Sequence, residues 1–358
     1  MIGIVTTSYP LGPDDGAGGF VRERVRELRR QGQAVEIIAA GDATRPNDDA
    51  VTRIKSCGLF YSGGAPEALE DARHAQRIGA WAKACGFSLA MLGQLVSRRN
   101  HWHAVESHWL VPCSLLATIA LPGIPHRSHV HGGDLALLRR LPMADSLARN
   151  FCRTGPEIVF ASRRLQNDFA KLVGQAPEWL GARCRVEPAP FDKSIFVERS
   201  LEDRHRLRAS LGLDRPTVLA AGRLVPIKGF DVLVAAMATI PAAVRPDLLI
   251  AGDGPELQRL TRQSRVGGVH ARFLGNLGQR TLADTMAAAD LLVHPCRILP
   301  DGRSEGMPLV VREARACGLR VVASASGGLR ELRDLEGYAF VAPDDVPALA
   351  VAIRGALG

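Results

Sequence analysis

Residues 305–331, EGMPLVVREARACGLRVVASASGGLRE, decide how the rest of the chain is read. Glu305 and Glu313 stand eight positions apart across the start of a helical pattern. Gly306 and Pro308 fall just before or inside its first turn, where proline's fixed φ suits a helix start. The free N–H groups and positive dipole end around Met307, Pro308 and Leu309 then suit an anion such as a diphosphate. A helical rise of about 1.5 Å per residue separates the two carboxylates by roughly 12 Å along the axis. That is wider than the about 5–9.5 Å of a glycoside-hydrolysing carboxylate pair, and fits a grip on two ends of one elongated ligand. Two unrelated solvated glutamates would leave the Gly-Met-Pro lead-in and Gly327-Gly328 without a purpose.

The 358 residues suit two domains of ordinary size. The net charge of +8 is carried almost wholly by arginine and favours phosphate-bearing ligands or an anionic surface. No basic-aromatic interleaving points to nucleic acid. The start, MIGIVTTSYP, reads as a first β-strand rather than a signal peptide, and no apolar run reaches the roughly 20 residues of a membrane span. A cytoplasmic protein is expected. Seven scattered cysteines without Cys-x-x-Cys fit reduced thiols.

Short apolar runs alternate with helical patterns throughout, as in parallel α/β sheets. Strands are expected at Ile2–Thr6, Ala34–Ala39, Ala104–Ser107, Arg127–His131 and Glu157–Ala161. The second half adds Thr217–Ala221, Asp247–Ala251, Ala271–Leu274, Leu291–His294, Arg320–Ala323 and Ala339–Val341. Helices are expected over Gly19–Gln31, Pro66–Ala84, Ser88–Arg99, Val111–Ala120 and Ser162–Leu172. The Pro-rich stretch 186–196, VEPAPFDKSIF, reads as a linker, which gives domains 1–188 and 189–358.

Five strand-end stretches carry chemistry. Gly222-Arg223-Leu-Val-Pro-Ile-Lys228-Gly229 sets two cations beside a helix N-terminus, a strong setting for a diphosphate. Ala251-Gly252-Asp253-Gly254-Pro255-Glu256 and Phe273-Leu274-Gly275-Asn276-Leu277 are turns of the same kind, weak alone. Gly16-Ala-Gly18-Gly19-Phe20 lacks the third glycine of a dinucleotide fingerprint, since Val21 stands there. His129-Val-His131-Gly-Gly-Asp134 ends an apolar strand, with His131 the candidate and His129 read as pointing to the opposite face. No spacing around the histidines gives a tetrahedral metal site with carboxylate support, and no Asp-x-Asp is present to hold a metal-bound diphosphate.

Together these motifs resemble retaining GT-B glycosyltransferases, particularly glycosyltransferase family 4, whose Glu-x7-Glu element matches Glu305 and Glu313. The resemblance covers nearly the whole chain, is specific in the C-terminal half and diffuse over 40–125. It implies two Rossmann-like domains facing across a cleft, an N-terminal acceptor domain and a C-terminal nucleotide-sugar domain. Glu305 would hold donor-sugar hydroxyls and Glu313 the ribose, while Arg223 and Lys228 neutralise the leaving diphosphate. Gly254 would border the base, with Leu274, Asn276 and Leu277 reading it through their backbone. Gly18 and Gly19 would bring amides to the donor phosphate, and His131 would lie by the reacting end of the sugar. The Asp-Gly-x-x-Glu-Gly run 301–306 is similar to a subgroup associated with exopolysaccharide and related glycans.

The family usually has Asn-Gly where this chain has Pro-Ala-Pro, and usually continues beyond the last helix, Pro347–Leu357. The expected activity is transfer from a UDP- or GDP-linked sugar to a hydroxyl acceptor without metal or other cofactor. A sugar-nucleotide epimerase and a non-catalytic nucleotide-sugar-binding partner protein are the alternatives. A lipid-linked glycan acceptor and weak contact with the inner membrane face are also considered. There an apolar stripe (Phe87, Leu89, Met91, Leu92, Leu95, Val96) precedes Arg98, Arg99 and His101, an arrangement able to rest on anionic lipid.

Overall fold

The computed structural model describes residues 1–12, 15, 18–41, 51–56, 78–174, 181, 183–300 and 302–358. The chain forms two compact units, Met1–Pro190 and Phe191–Gly358. In the first, β1 (Ile2–Thr6), α1 (Gly19–Arg30), β2 (Val35–Ala40), β3 (Val51–Ile54), α2 (Ile78–Ser97) and β4 (Ala104–His108) follow in order. A π turn (Leu110–Ser114), α3 (Leu115–Ala120), β5 (His126–Val130), α4 (Gly133–Leu138), α5 (Ala144–Thr154), β6 (Glu157–Phe160), α6 (Arg163–Val173) and β7 (Cys184–Val186) complete it. Its parallel sheet runs β3-β2-β1-β4-β5-β6-β7.

The second unit contains α7 (Leu201–Leu211), β8 (Thr217–Ala221), a 3-10 turn (Pro226–Lys228), α8 (Phe230–Thr239), β9 (Asp247–Ala251), α9 (Leu257–Val266) and β10 (Ala271–Gly275). It continues with α10 (Gln279–Ala288), β11 (Leu291–His294), α11 (Leu309–Ala316), β12 (Arg320–Ser324), a 3-10 stretch (Gly327–Leu332), β13 (Tyr338–Val341) and α12 (Val346–Leu357). Its sheet, also parallel, runs β10-β9-β8-β11-β12-β13. Strand direction alternates side chains between two covered faces. Val218 and Ala220 pack on one side of β8 with Phe230, Leu233 and Ile353. Leu219 and Ala221 pack on the other with Met286, Val311 and Leu329. Strands buried on both faces read as unbroken apolar runs, which is why β1, β8, β9 and β11 were legible.

Both sheets have the doubly wound order 3-2-1-4-5-6, counted from each unit's first strand, with an extra edge strand in the first. This topology opens a crevice outside the carboxyl ends of the two central strands. In the first unit these are β1 and β4, in the second β8 and β11.

The expected strands form, within a residue or two at their ends. The short edge strands β3 and β7 were not anticipated, nor were α4 and α5. The expected helix over Val111–Ala120 is instead a π turn with a cis Val111–Pro112 bond, followed by α3. A single helix, Ile78–Ser97, runs where two were expected, straight through Gly86, and residues 66–77 of the first expectation lie outside the described residues. The proposed lipid-facing stripe is mostly core. Phe87, Met91 and Leu95 are buried with Trp102 and Val105, and Arg98 pairs with Glu36 at 2.6 Å. Leu89 and Val96 remain exposed. Among the described residues, no helix is long and apolar enough to cross a membrane.

Candidate functional site

The second unit assembles its site at the carboxyl ends of β8 and β11. After β8 the chain turns through Gly222-Arg223 into the 3-10 turn that ends at Lys228. After β11 it runs from His294 to Glu305. A Cβ on Gly229 would stand 2.1 Å from the Pro295 carbonyl oxygen, so only glycine lets the two loops meet. Lys228 Nζ then donates to Glu305 Oε2 at 3.1 Å. Burial alone would push the Lys228 ammonium down, but the Glu305 carboxylate outweighs it and holds the ammonium above its ordinary range. Burial would likewise raise Glu305, and Lys228, with help from His294 and Arg223, holds it below the usual carboxylate range. Both groups are therefore charged, with Arg223 half-buried on the same loop.

Gly327 and Gly328 acquire their purpose here. Gly327 has φ +58°, and a Cβ there would lie 1.9 Å from the Glu305 carbonyl oxygen. The Gly328 N–H donates to the Gly306 carbonyl at 2.8 Å. The pair clamps the segment carrying Glu305 and Gly306. Met307 follows half-buried, and Pro308 occupies the cap position of α11 with Leu309 as the first helical residue and no side-chain cap. Among the described residues no side chain caps the N–H groups of this first turn, the kind of groups that an anion can meet. Glu305 thus precedes the helix by four residues, so helical rise does not set its separation from Glu313, and the expected 12 Å spacing is withdrawn.

Glu313 sits in the second turn of α11, 7% exposed. Burial pushes its carboxyl up to about 7 against the opposing pull of Arg312. No hydrogen-bond donor reaches that carboxylate among the described residues. Backbone bonds join the neighbouring loops: Leu224 N–H to Asp253 at 2.8 Å, Glu256 N–H to Leu224 at 3.0 Å and Gly252 N–H to Gly275 at 2.7 Å. Gly254 and the end of β10 therefore flank the Arg223 loop. Leu274 and Leu277 pack against the core, and Asn276 is exposed.

The first unit builds a different cluster at the ends of β4 and β5. Gly18 adopts a left-handed conformation at the cap of α1, and Gly19 opens the helix with no side-chain cap, while Gly16 lies outside the described residues. His131 is half-buried, and desolvation pushes its pKa down to about 3. Residues two apart share a strand face, and His129 is not turned away from it. The rings of His129 and His131 lie 9° from parallel, with His108 4.5 Å from His129 and 5.4 Å from His131. His108 Nδ1 and His131 Nε2 share a hydrogen bond at 3.1 Å. Beyond His129, Glu106 accepts from its Nε2 at 3.3 Å and takes two bonds from Arg24, at 2.8 and 2.7 Å. The carboxylate is thereby spent. The adjoining pocket of about 20 Å³ has room for one water.

Sequence reasoning gave no role to Arg24, Glu106, His108 or Asp134. Pairing of β4 with β5 in the register His108↔His129 brings the histidines together, and nothing local in sequence encodes that register. Asp134 had a local signal, a carboxylate after Gly-Gly at a strand end. It accepts from the N–H groups of Gly132, Leu135, His131 and Leu110 and so shapes the loop that carries His131. A separate cavity of about 430 Å³ opens at the amino ends of β8, β11 and β12. Its Arg204 and Arg208 already pair with Asp290, which marks it as a structural charge network.

Residues 215–358 match the sequence profile of the family described as Glycosyl transferases group 1. The chain is 36% identical to the D-inositol 3-phosphate glycosyltransferase of Mycobacterium ulcerans, over 99% of this chain and 77% of that protein. It is 33% identical to the GDP-mannose-dependent alpha-(1-6)-phosphatidylinositol monomannoside mannosyltransferase of Mycolicibacterium smegmatis, over 70% of this chain and 67% of the relative. The match to the same-named Mycobacterium tuberculosis enzyme, at 32% identity, covers 64% of this chain and 60% of that one. Among solved structures, Anabaena HepE in complex with UDP and glucose superposes with TM-score 0.71 at 20% identity, over 99% of this chain and 89% of that one. WaaG, a glycosyltransferase involved in lipopolysaccharide biosynthesis, gives 0.71 at 17% identity, over 100% and 90%. The fold is that of the GT-B glycosyltransferases, and the chain belongs to the group 1 glycosyltransferases.

Proposed function

We propose that this protein transfers a sugar, with retention of anomeric configuration, from a nucleoside-diphosphate sugar to a hydroxyl acceptor in glycolipid or glycan assembly. The observation that carries this reading is the pairing of a charged Lys228–Glu305 couple with a buried carboxyl, Glu313, that has no donor among the described residues. Lys228 and Arg223 supply positive charge for the departing diphosphate, and the uncapped start of α11 supplies N–H donors. Glu305 orients sugar hydroxyls and Glu313 accepts from the ribose. The bond from the anomeric carbon to the diphosphate breaks as the acceptor oxygen joins the same face, and the hydroxyl proton goes to the departing phosphate. No metal is needed, because the cations already stand at the site.

His131 and the Gly18-Gly19 turn belong to the same proposal as groups serving the reacting end and the donor phosphate. The names of the curated relatives, which specify inositol phosphate and phosphatidylinositol mannoside acceptors, support an inositol-type or lipid-borne hydroxyl acceptor, met at the cytoplasmic membrane face. The test is incubation with a panel of labelled UDP- and GDP-sugars. Slow donor hydrolysis, and transfer with unchanged anomeric configuration by NMR once an acceptor is found, are expected. Epimerised donor, or binding without any turnover, would contradict the reading.

A further inference from the structure

His294 and Cys296 stand outside the roles given above, yet they touch the donor site. Both are wholly buried. Cys296 Sγ faces His294 Nε2 at 2.9 Å, and among the described residues His294 Nδ1 is buried without a partner. The sulfur is therefore the ring's single side-chain tie among the described residues. One ligand atom from each of His294, Cys296 and Glu305 lies within 4.8 Å of the others.

We propose that His294, Cys296 and Glu305 form a site for a thiophilic divalent cation of the zinc class, and that its occupation switches the donor site off. The proposal rests on the reading of Glu305 and Lys228 as donor-binding groups. An imidazole, a thiolate and a carboxylate make a donor set that zinc prefers, at bond lengths of about 2.0–2.3 Å. Ligand nitrogen and sulfur then stand about 3.6 Å apart across a tetrahedral ion. The 2.9 Å contact need open only by some tenths of an ångström. The thiol proton leaves to solvent, and the metal takes its place between sulfur and ring without breaking another side-chain bond of His294.

The rival cluster, Glu106, His108 and His129, also brings three ligand atoms within 4.8 Å. There Arg24 occupies both carboxylate oxygens. Lys228 contacts only one oxygen of Glu305. A cation at the thiol site draws Glu305 away from Lys228 and from the sugar, and repels the ammonium. Magnesium and calcium, which favour oxygen ligands, should leave the site untouched.

The probe is cobalt(II), a spectroscopic substitute for zinc, titrated into the full chain. The expected result is a one-equivalent sulfur-to-cobalt charge-transfer band, abolished in Cys296→Ser and displaced by zinc. Glu305→Gln should keep the fold and weaken cobalt binding by roughly tenfold or more, since even outer-shell changes at metal sites cost about 10–100-fold. Thermal melts check that each variant is folded. If Cys296→Ser melts early, loss of affinity in Glu305→Gln carries the test alone. An undiminished band in Cys296→Ser, or unchanged affinity in Glu305→Gln, overturns the site. Zinc should also compete with nucleotide-sugar binding in wild type. Competition that survives unchanged in folded Cys296→Ser, or a cobalt band with no competition, overturns the switch. A chain that binds cobalt but no nucleotide sugar at all refutes the donor-site reading and leaves the metal site standing.

Discussion

The two units share one topology and put different chemistry at the carboxyl ends of their strands, one strand over from the central pair in the first unit and at the central pair in the second. At the ends of β4 and β5, burial holds His131 and His108 neutral, and the nearby carboxylate of Glu106 is consumed by Arg24. At the ends of β8 and β11, a cation and an anion stay charged beside each other, and a second carboxyl, Glu313, has no donor among the described residues. The sheet order supplies a crevice in both. The proposal assigns the donor diphosphate to the second unit because Lys228, Arg223 and the uncapped start of α11 stand together there, against a scaffold for one imidazole in the first.

The largest effects should come from removing that charge. Lys228→Ala and Arg223→Ala should each weaken UDP or GDP binding by about 1.5–3 kcal/mol, roughly 10- to 150-fold, the worth of a charge-assisted hydrogen bond. Calorimetric titration reads this directly, and unchanged affinity would move the phosphate site elsewhere.

Next comes the pH dependence of Glu313. Its folded pKa is raised to about 7 from an ordinary 4.5. Between those values the folded state holds a proton the unfolded chain has lost, so stability falls as pH rises through that window. The full cost above pH 7 is up to about 3 kcal/mol. Glu313→Gln should therefore melt higher than wild type at pH 8 and near wild type at pH 4, in the absence of nucleotide. Wild-type nucleotide affinity should rise with pH between 6 and 8 as the carboxylate becomes available to ribose hydroxyls. A flat stability difference across pH would show the carboxyl is not buried as described.

A smaller effect belongs to the imidazole side. His108→Phe removes one neutral hydrogen bond to His131, worth about 0.5–1.5 kcal/mol. Turnover should fall several-fold while UDP or GDP affinity stays near wild type. A matching loss of nucleotide binding would erase the distinction between the two clusters. The smallest change is none: EDTA should leave transfer intact, and restoration of activity by magnesium or manganese after chelation would reject the metal-free reading.

Much of this was legible because parallel strands buried on both faces leave continuous apolar runs, and because glycine and proline punctuate the loops at their ends. Arg223, Lys228 and Glu305 fall at such punctuation, and Glu313 lies in the second turn of the helix that Pro308 caps. Pro308 falls just before the helix, as its cap, so the 12 Å spacing fails because helical rise does not apply to the residues between Glu305 and Leu309. Edge strands such as β3, with Arg53 turned to the carbonyls of Tyr9 and Pro10, carry no apolar run to read. The face of His129 was misassigned against the two-residue period. The Arg24–Glu106–His129 connection was out of reach, because it depends on strand register and a helix docking 82 residues away in sequence.

The central claim is that Glu305 and Glu313 serve different ends of one donor, and one set of titrations tests it most directly. Wild type, Glu305→Gln and Glu313→Gln would each be titrated with a nucleoside diphosphate and with the matching nucleotide sugar. Glu313→Gln should weaken both ligands alike, since both carry ribose. Glu305→Gln should spare the diphosphate and weaken only the sugar nucleotide, with a corresponding loss of turnover. Equal losses for both ligands in both variants would contradict the account.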